Sequence, residues 1–124
     1  MEDTKEGLIK STKQSHKMQL VFKKWEELSK EDVQSIFSLR SEVFIVEQNC
    51  PYQDIDGKDE KADHLLLYEN NTLCGYTRIF PKNTYFKEAS FGRTVVKKTH
   101  RGKGYGHVLV KESIKFLKNQ KEKT

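Results

Sequence analysis

The sequence predicts an α/β domain with a mostly antiparallel sheet flanked by helices. Three observations carry that expectation. Two short apolar runs are joined by a polar turn, segments of helical periodicity lie on either side of them, and 124 residues suffice for one core and not two. The order along the chain reads β-α-loop-β-β-β-α.

Residues 1–17 are polar, rich in lysine and without periodicity, which predicts a solvated tail ahead of a domain over 18–118. M-Q-L-V-F-K-K-W (18–25) alternates loosely and is rich in Val, Phe and Trp, the mark of a first strand. Ser29 with Asp32 has the spacing of an N-cap and an acid at N3, a loose capping box. Behind it Val33, Ile36, Phe37, Arg40, Val43 and Phe44 recur at helical spacing and form one inward face. An acidic loop punctuated by Pro51 and Gly57 follows. H-L-L-L-Y (64–68), the turn E-N-N-T and L-C-G-Y-T-R-I-F (73–80) read as a hairpin. A-S-F-G-R-T-V-V (89–96) reads as another strand. After a glycine loop, Val110, Ile114 and Leu117 at i, i+4 and i+7 predict an amphipathic helix with those three inward, and 119–124 a polar tail.

Charge is unevenly spread. Residues 93–124 hold ten Lys/Arg against two acids, while residues 1–92 hold thirteen against sixteen. A basic third on a mildly acidic body points to an anionic partner, phosphate above all. No apolar run approaches the roughly 20 residues of a membrane span. The N-terminus has no apolar core of a secretory signal, so a cytoplasmic protein is expected, with Cys50 and Cys74 as free thiols.

The stretch T-H-R-G-K-G-Y-G-H-V-L-V (99–110) concentrates three glycines and several cations directly before a helix. Helix N-termini present unpaired N–H groups and a positive dipole end, and glycines let a ligand approach the backbone, so this is a physical recipe for holding phosphate. A Walker loop is excluded, because no Ser or Thr follows the lysine; the dinucleotide fingerprint is excluded by the G-x-G-x-G spacing. As R-x-x-G-x-G, with Arg101, Gly104 and Gly106 following a strand and opening a helix, the stretch resembles the pyrophosphate motif of the GNAT superfamily of acyl-CoA N-acyltransferases. A second block, L-R-S-E-V-F-I-V-E-Q-N-C-P-Y-Q-D-I-D-G-K-D (39–59), is similar nearly residue by residue to the ElaA-like branch of that superfamily, as is F-G-R-T-V-V ahead of the loop. The resemblance spans residues 19 to 118.

The resemblance implies a GNAT-like fold and acetyl-CoA as acyl donor to an amine, on a small molecule or peptide, by direct attack. The main chain of Thr94, Val95 and Val96 would pair with the pantetheine arm, and Arg101, Gly102, Lys103, Gly104, Tyr105 and Gly106 would hold the pyrophosphate. Members of the superfamily normally continue past the phosphate helix, and that region usually supplies the tyrosine that protonates the leaving thiolate. Here the sequence ends in K-N-Q-K-E-K-T, so a domain without its usual C-terminal part is expected. A shortened gene, a fragment, or a homodimer covering an unpaired sheet edge would each account for that.

A base for the attacking amine could be Glu88 or Glu47, either of which reads equally as a solvated carboxylate. Asp54 and Asp56 are placed on the substrate side, for attraction of an amine or bracing of the loop. Arg40, on an apolar face, is either a buried carboxylate partner or substrate-facing. No metal site is expected: D-x-D-G resembles part of an EF-hand loop, but Gly57 falls fourth and Leu65 twelfth counted from Asp54. Two other functions stay open. One is a non-catalytic remnant that binds CoA or a partner chain. The other, a nucleic-acid binder using the basic loop, is disfavoured because Tyr105 is the one aromatic beside those cations.

Overall fold

Two consecutive asparagines turn the chain at the centre of the sheet. The computed structural model describes residues 18–51 and 53–122, with backbone alone for 121 and 122, so the expected tail 1–17 lies outside the described residues. Asn70 and Asn71 both take left-handed backbone, φ 52° and 68°. That is the geometry of a two-residue hairpin loop, whose twist matches the strands it joins. The loop pairs β2 (Asp63–Glu69) with β3 (Thr72–Phe80). β1 (Met18–Lys24) runs antiparallel on the other side of β2, and β4 (Ser90–Val96) antiparallel on the other side of β3. The four-stranded order is β1-β2-β3-β4.

The continuous apolar run of β2 follows from its position inside the sheet, where both faces are covered. Leu66 points with Tyr76 and Val95 toward Ile36, Leu39 and Val43 on one face. Leu65 and Leu67 point with Cys74 and Ile79 toward Leu109 on the other. The first face is closed by α1 (Lys30–Arg40), started by the expected capping box. Asp32 N–H donates to Ser29 Oγ, and Ser29 N–H to Asp32 Oδ2, each at 3.0 Å. Beyond Arg40 the helix widens over Ser41–Glu47 into π geometry, with Gln48 N–H donating five residues back to the Val43 carbonyl.

The second face is closed by α2 (Tyr105–Glu122), which sits close to β3 because residue 75 is glycine. A Cβ there would meet side-chain carbons of Leu109 and Leu67 at 3.1 Å. α2 corrects two of the three expected inward positions, Val110 and Ile114, while Leu117 packs inward as expected. Leu109 and Ser113 are buried and Phe116 and Leu117 pack on the core, whereas Val110 and Ile114 are 37% and 41% exposed. A serine at position 113 interrupts the buried stripe, so a purely apolar template selects the neighbouring one. The helix also runs through Glu122, past Leu117, where its periodic pattern ends.

β4 carries one irregularity that shapes its outer edge. Its register against β3 shifts between the Tyr76–Val95 and Arg78–Gly92 pairs, and Arg93 within the shift has φ 52°. The extra residue is a β-bulge, which bends the strand locally.

Candidate functional site

The glycine loop is an open surface of main chain. A short 3-10 turn, Lys98–His100, leads from β4 into it. Gly102 and Gly104 have φ +86° and +81°, values that side chains rarely tolerate, and a Cβ at either would meet nothing within 4 Å. The first bond of α2 in this region is Val108 N–H to the Gly104 carbonyl, at 3.1 Å. The amides of Tyr105, Gly106 and His107, ahead of it, lack an intrahelical acceptor and stand at the positive end of an 18-residue helix.

The cations of this loop turn back onto the protein. Arg101 Nε donates to the Val96 carbonyl at 2.9 Å, and its two terminal nitrogens grip both oxygens of Glu47, Nη2 at 2.9 Å. Lys103 Nζ lies 3.0 Å from each oxygen of Glu69, a carboxylate with 3% exposure at the end of β2. The Tyr105 hydroxyl also bonds to Glu69; burial first, then the charge of that carboxylate, pushes it up to about 12. Underneath, a Cβ added at Gly106 would meet Val96 Cγ2 at 3.9 Å, ordinary contact distance. The main chain of Gly102 and Gly104 is thereby left open at the surface, with the His107 side chain exposed beside it.

Thr94, Val95 and Val96 form the strand beside this loop. Val95 is buried in the α1-side core, and Thr77 Oγ1 donates to Thr94 Oγ1 at 3.3 Å. Lys97 N–H donates to the Cys74 carbonyl, so by the alternation of a ladder the Val96 carbonyl points outward, where Arg101 meets it. Among the described residues no strand pairs with the outer edge of β4.

Arg40, Asp54 and Asp56 come together, joined by three residues that the sequence reading did not single out as a set. Arg40 has no exposed surface; Nε donates to Asp54 Oδ2 at 2.9 Å and Nη1 to Asp59 Oδ1 at 2.7 Å. Arg78 grips Asp56 through two nitrogens, at 2.8 and 3.1 Å. Arg93, at the bulge, reaches Asp54 Oδ1 at 2.7 Å and Asp56 Oδ2 at 3.3 Å. Three guanidinium groups thus face three carboxylates in a charge-balanced cluster that ties the acidic loop to β3, β4 and α1. Burial alone would raise Asp56, but its bonds from Arg78 and the Lys58 amide and the charges of Arg78 and Arg93 outweigh it and hold the carboxyl at about 2. A signal for the cluster existed: Arg78 and Arg93 sit inside strand-forming runs, and a buried arginine requires carboxylates, which D-I-D-G-K-D supplies.

Of the two candidate bases, Glu88 is exposed in the bend before β4 and makes no ion pair among the described residues. Glu47 is engaged by Arg101, whose hydrogen bonds hold its carboxyl below the usual carboxylate range. His64 is buried and linked at both nitrogens, to the Tyr76 hydroxyl at 2.6 Å and the Asp59 carbonyl at 2.9 Å. A carbonyl only accepts, so Nε2 carries the proton and Nδ1 accepts from Tyr76. Cys50 is exposed and Cys74 buried, both as free thiols. His107 is exposed. Among the described residues no helix is long and apolar enough to cross a membrane.

An antiparallel sheet with a helix on each face, a bulged edge strand and a glycine loop opening a helix define an acetyltransferase-like fold. The chain belongs to the acetyltransferase (GNAT) family, whose model it matches over residues 23–124. Protein ElaA of Escherichia coli is 39% identical over 90 residues, which is 71% of this chain and 59% of ElaA. The crystal structure of ElaA superposes with a TM-score of 0.77 at 33% identity, covering 82% of this chain and 70% of that one. An acyl-CoA N-acyltransferase from Pseudomonas aeruginosa gives 0.78 at 30% identity, covering 83% and 72%. A predicted acetyltransferase from Clostridium acetobutylicum, crystallised with acetyl-CoA, shares the fold at 18% identity and a TM-score of 0.60, covering 84% and 75%. This chain spans about 59% of the length of its curated relative ElaA.

Proposed function

We propose that this chain binds acetyl-CoA and belongs to an N-acetyltransferase that passes the acyl group directly to an amine. The observation that carries this reading is the row of amides without an intrahelical acceptor at the start of α2, opened outward by Gly102 and Gly104 and placed beside the edge of β4 with which no other described strand pairs. The residues fit the cofactor: a helix N-terminus for the pyrophosphate and, for the amide-bearing arm, a strand edge that no other described strand covers. Acetyl-CoA, when bound, supplies an activated thioester carbonyl.

In this reading the amides of residues 101–106 hold the pyrophosphate, and the Arg101 and Lys103 side chains hold the loop in shape. The outer edge of β4 at Thr94–Val96 aligns the arm, and Arg101 yields the Val96 carbonyl when that edge is occupied. The neighbouring cluster of Asp54, Asp56 and Arg40 fixes the bulge and gives the acceptor side its shape, with Arg40 acting through its carboxylates, since it has no surface of its own. Proton acceptance from the amine is assigned to Glu88, which is exposed, rather than to Glu47, which Arg101 occupies.

The test is calorimetric titration of acetyl-CoA into the wild-type chain and Gly104→Val, with inorganic pyrophosphate as competitor. Binding that pyrophosphate weakens and the substitution abolishes supports the cradle; binding indifferent to both removes it. Release of free thiol over a panel of amines then separates an active transferase from a chain that binds CoA without turnover.

A further inference from the structure

Between the β2–β3 turn and the glycine loop, three side chains to which the acyl-transfer reading gives no contact with cofactor or amine converge on one point. The donor atoms of Glu69, Cys74 and His100 all lie within 4.8 Å of one another. Glu69 and Cys74 are buried, and His100 Nε2 is 3.6 Å from Glu69 Oε1. On its other side the His100 ring is oriented by a 2.9 Å hydrogen bond between Nδ1 and Thr99 Oγ1. Positive charge already collects here, because the Lys103 ammonium bridges both oxygens of Glu69. We propose that Glu69, Cys74 and His100 form a binding site for a borderline divalent cation of the zinc type, with the Lys103 ammonium as the charge it displaces.

The donor set selects the ion. A thiolate, an imidazole and a carboxylate suit zinc, whereas calcium and magnesium require oxygen ligands throughout. Bond lengths of about 2.0–2.3 Å place tetrahedral ligand atoms about 3.5 Å apart. Closing the cluster by roughly 1 Å therefore suffices, and His100 rides on a short turn that borders the loop. Three protein ligands leave a fourth position for water. The Thr99 hydroxyl supplies the outer hydrogen bond that commonly fixes a ligating histidine.

Binding breaks the Cys74 S–H bond, sends that proton to solvent and forms a sulfur–metal bond; no atom changes oxidation state. Lys103 keeps its proton, leaves Glu69 and turns to the outer side of the glycine loop. There it would add a cation to a bound pyrophosphate. That consequence rests on the acyl-CoA reading, and the metal site itself does not.

The full chain, freed of metal with a chelator, is titrated with Co2+ and then competed with Zn2+. Stoichiometric binding with a near-ultraviolet thiolate-to-cobalt band is expected. Loss of outer-shell partners alone costs about 10- to 100-fold in metal affinity, so His100→Ala should weaken zinc by at least about 100-fold. Cys74→Ser should abolish the thiolate band, and Lys103→Met, which removes the competing ammonium, should tighten binding. No cobalt binding, or binding indifferent to these substitutions, overturns the proposal. If Cys74→Ser fails to fold, His100→Ala and Lys103→Met still decide it. Metal binding without acetyl-CoA binding would remove the acyl-CoA reading and leave this site standing.

Discussion

Arg101 and Glu47, 54 residues apart in the chain, join the end of the π segment to the mouth of the glycine loop through a two-pronged ion pair. The same guanidinium holds the Val96 carbonyl, so one side chain fastens three segments: helix end, strand end and loop. Preorganising a loop lowers the cost of ordering it on binding. Glu47→Ala should leave the thermal midpoint almost unchanged, because the pair is exposed, and should weaken acetyl-CoA severalfold in calorimetry. Tighter binding in that variant would instead mean that the pair holds Arg101 away from the cofactor.

Arg40 makes the opposite case, a charge with no access to water. Removing it leaves Asp54 and Asp59 buried without their central partner, which typically costs about 3–5 kcal/mol. Urea unfolding of Arg40→Ala should show a loss of that order with an unchanged denaturant slope. A loss below about 1 kcal/mol would mean that Arg78 and Arg93 neutralise the cluster without it.

The same cluster sets the response to acid. Asp56 lies at about 2 in the fold, below its ordinary value of 3.8, so it stabilises the protein above about pH 4. That contribution, on the order of 2 kcal/mol, disappears as the pH falls toward 2. His64 adds a second acid-sensitive step at higher pH. Burial pushes its pKa below 6.5, so stability starts to fall once the pH drops below that value, as the unfolded chain takes up the proton first. Urea midpoints measured at pH 7, 5 and 3 should fall at each step. Asp56→Asn should lower the value at pH 7 and flatten the change between pH 5 and 3; an unaltered slope there would exclude Asp56 as its source.

Local signals in the sequence were enough to place the elements that depend on local chemistry. The Ser29–Asp32 cap, the Asn70–Asn71 turn and the glycines ahead of α2 each encode their own geometry, and each appears as expected. Contacts between distant segments were a different matter. Nothing near Lys103 indicates that its ammonium turns inward to Glu69, and nothing near Glu47 indicates Arg101, because both partners lie more than thirty residues away. The π widening after Arg40 has no composition signal either. The buried ion cluster falls between these cases: its arginines stand out in apolar strands, yet which carboxylates meet them depends on how the acidic loop folds back.

Gly75 shows how closely α2 is fitted to the sheet. An added Cβ would stand 3.1 Å from carbons of both Leu109 and Leu67, tighter than ordinary contact, with a helix on one side and a fully buried leucine of β2 on the other. Overpacking of that kind typically costs about 1–3 kcal/mol. Gly75→Ala should lose that much in urea unfolding. Combining it with Leu109→Ala should cost less than the sum of the two, since the second change makes room for the first. Strict additivity would mean that the helix shifts as a body instead of yielding at Leu109.

The rotated face of α2 yields the sharpest test of the fold itself. Leu109 is fully buried, whereas Val110, its neighbour in sequence, and Ile114, one turn on, are more than a third exposed. Truncating a buried leucine costs about 2–5 kcal/mol, while exposed substitutions usually stay within about 0.5 kcal/mol. Leu109→Ala should therefore unfold at markedly lower urea, and the double change Val110→Ser with Ile114→Ser should scarcely move the midpoint. The reverse order would return the helix to the face that its apolar spacing favours. If both variants are costly, Val110 and Ile114 are covered in solution, and sedimentation of the wild type at increasing concentration would show whether a second copy of the chain covers them.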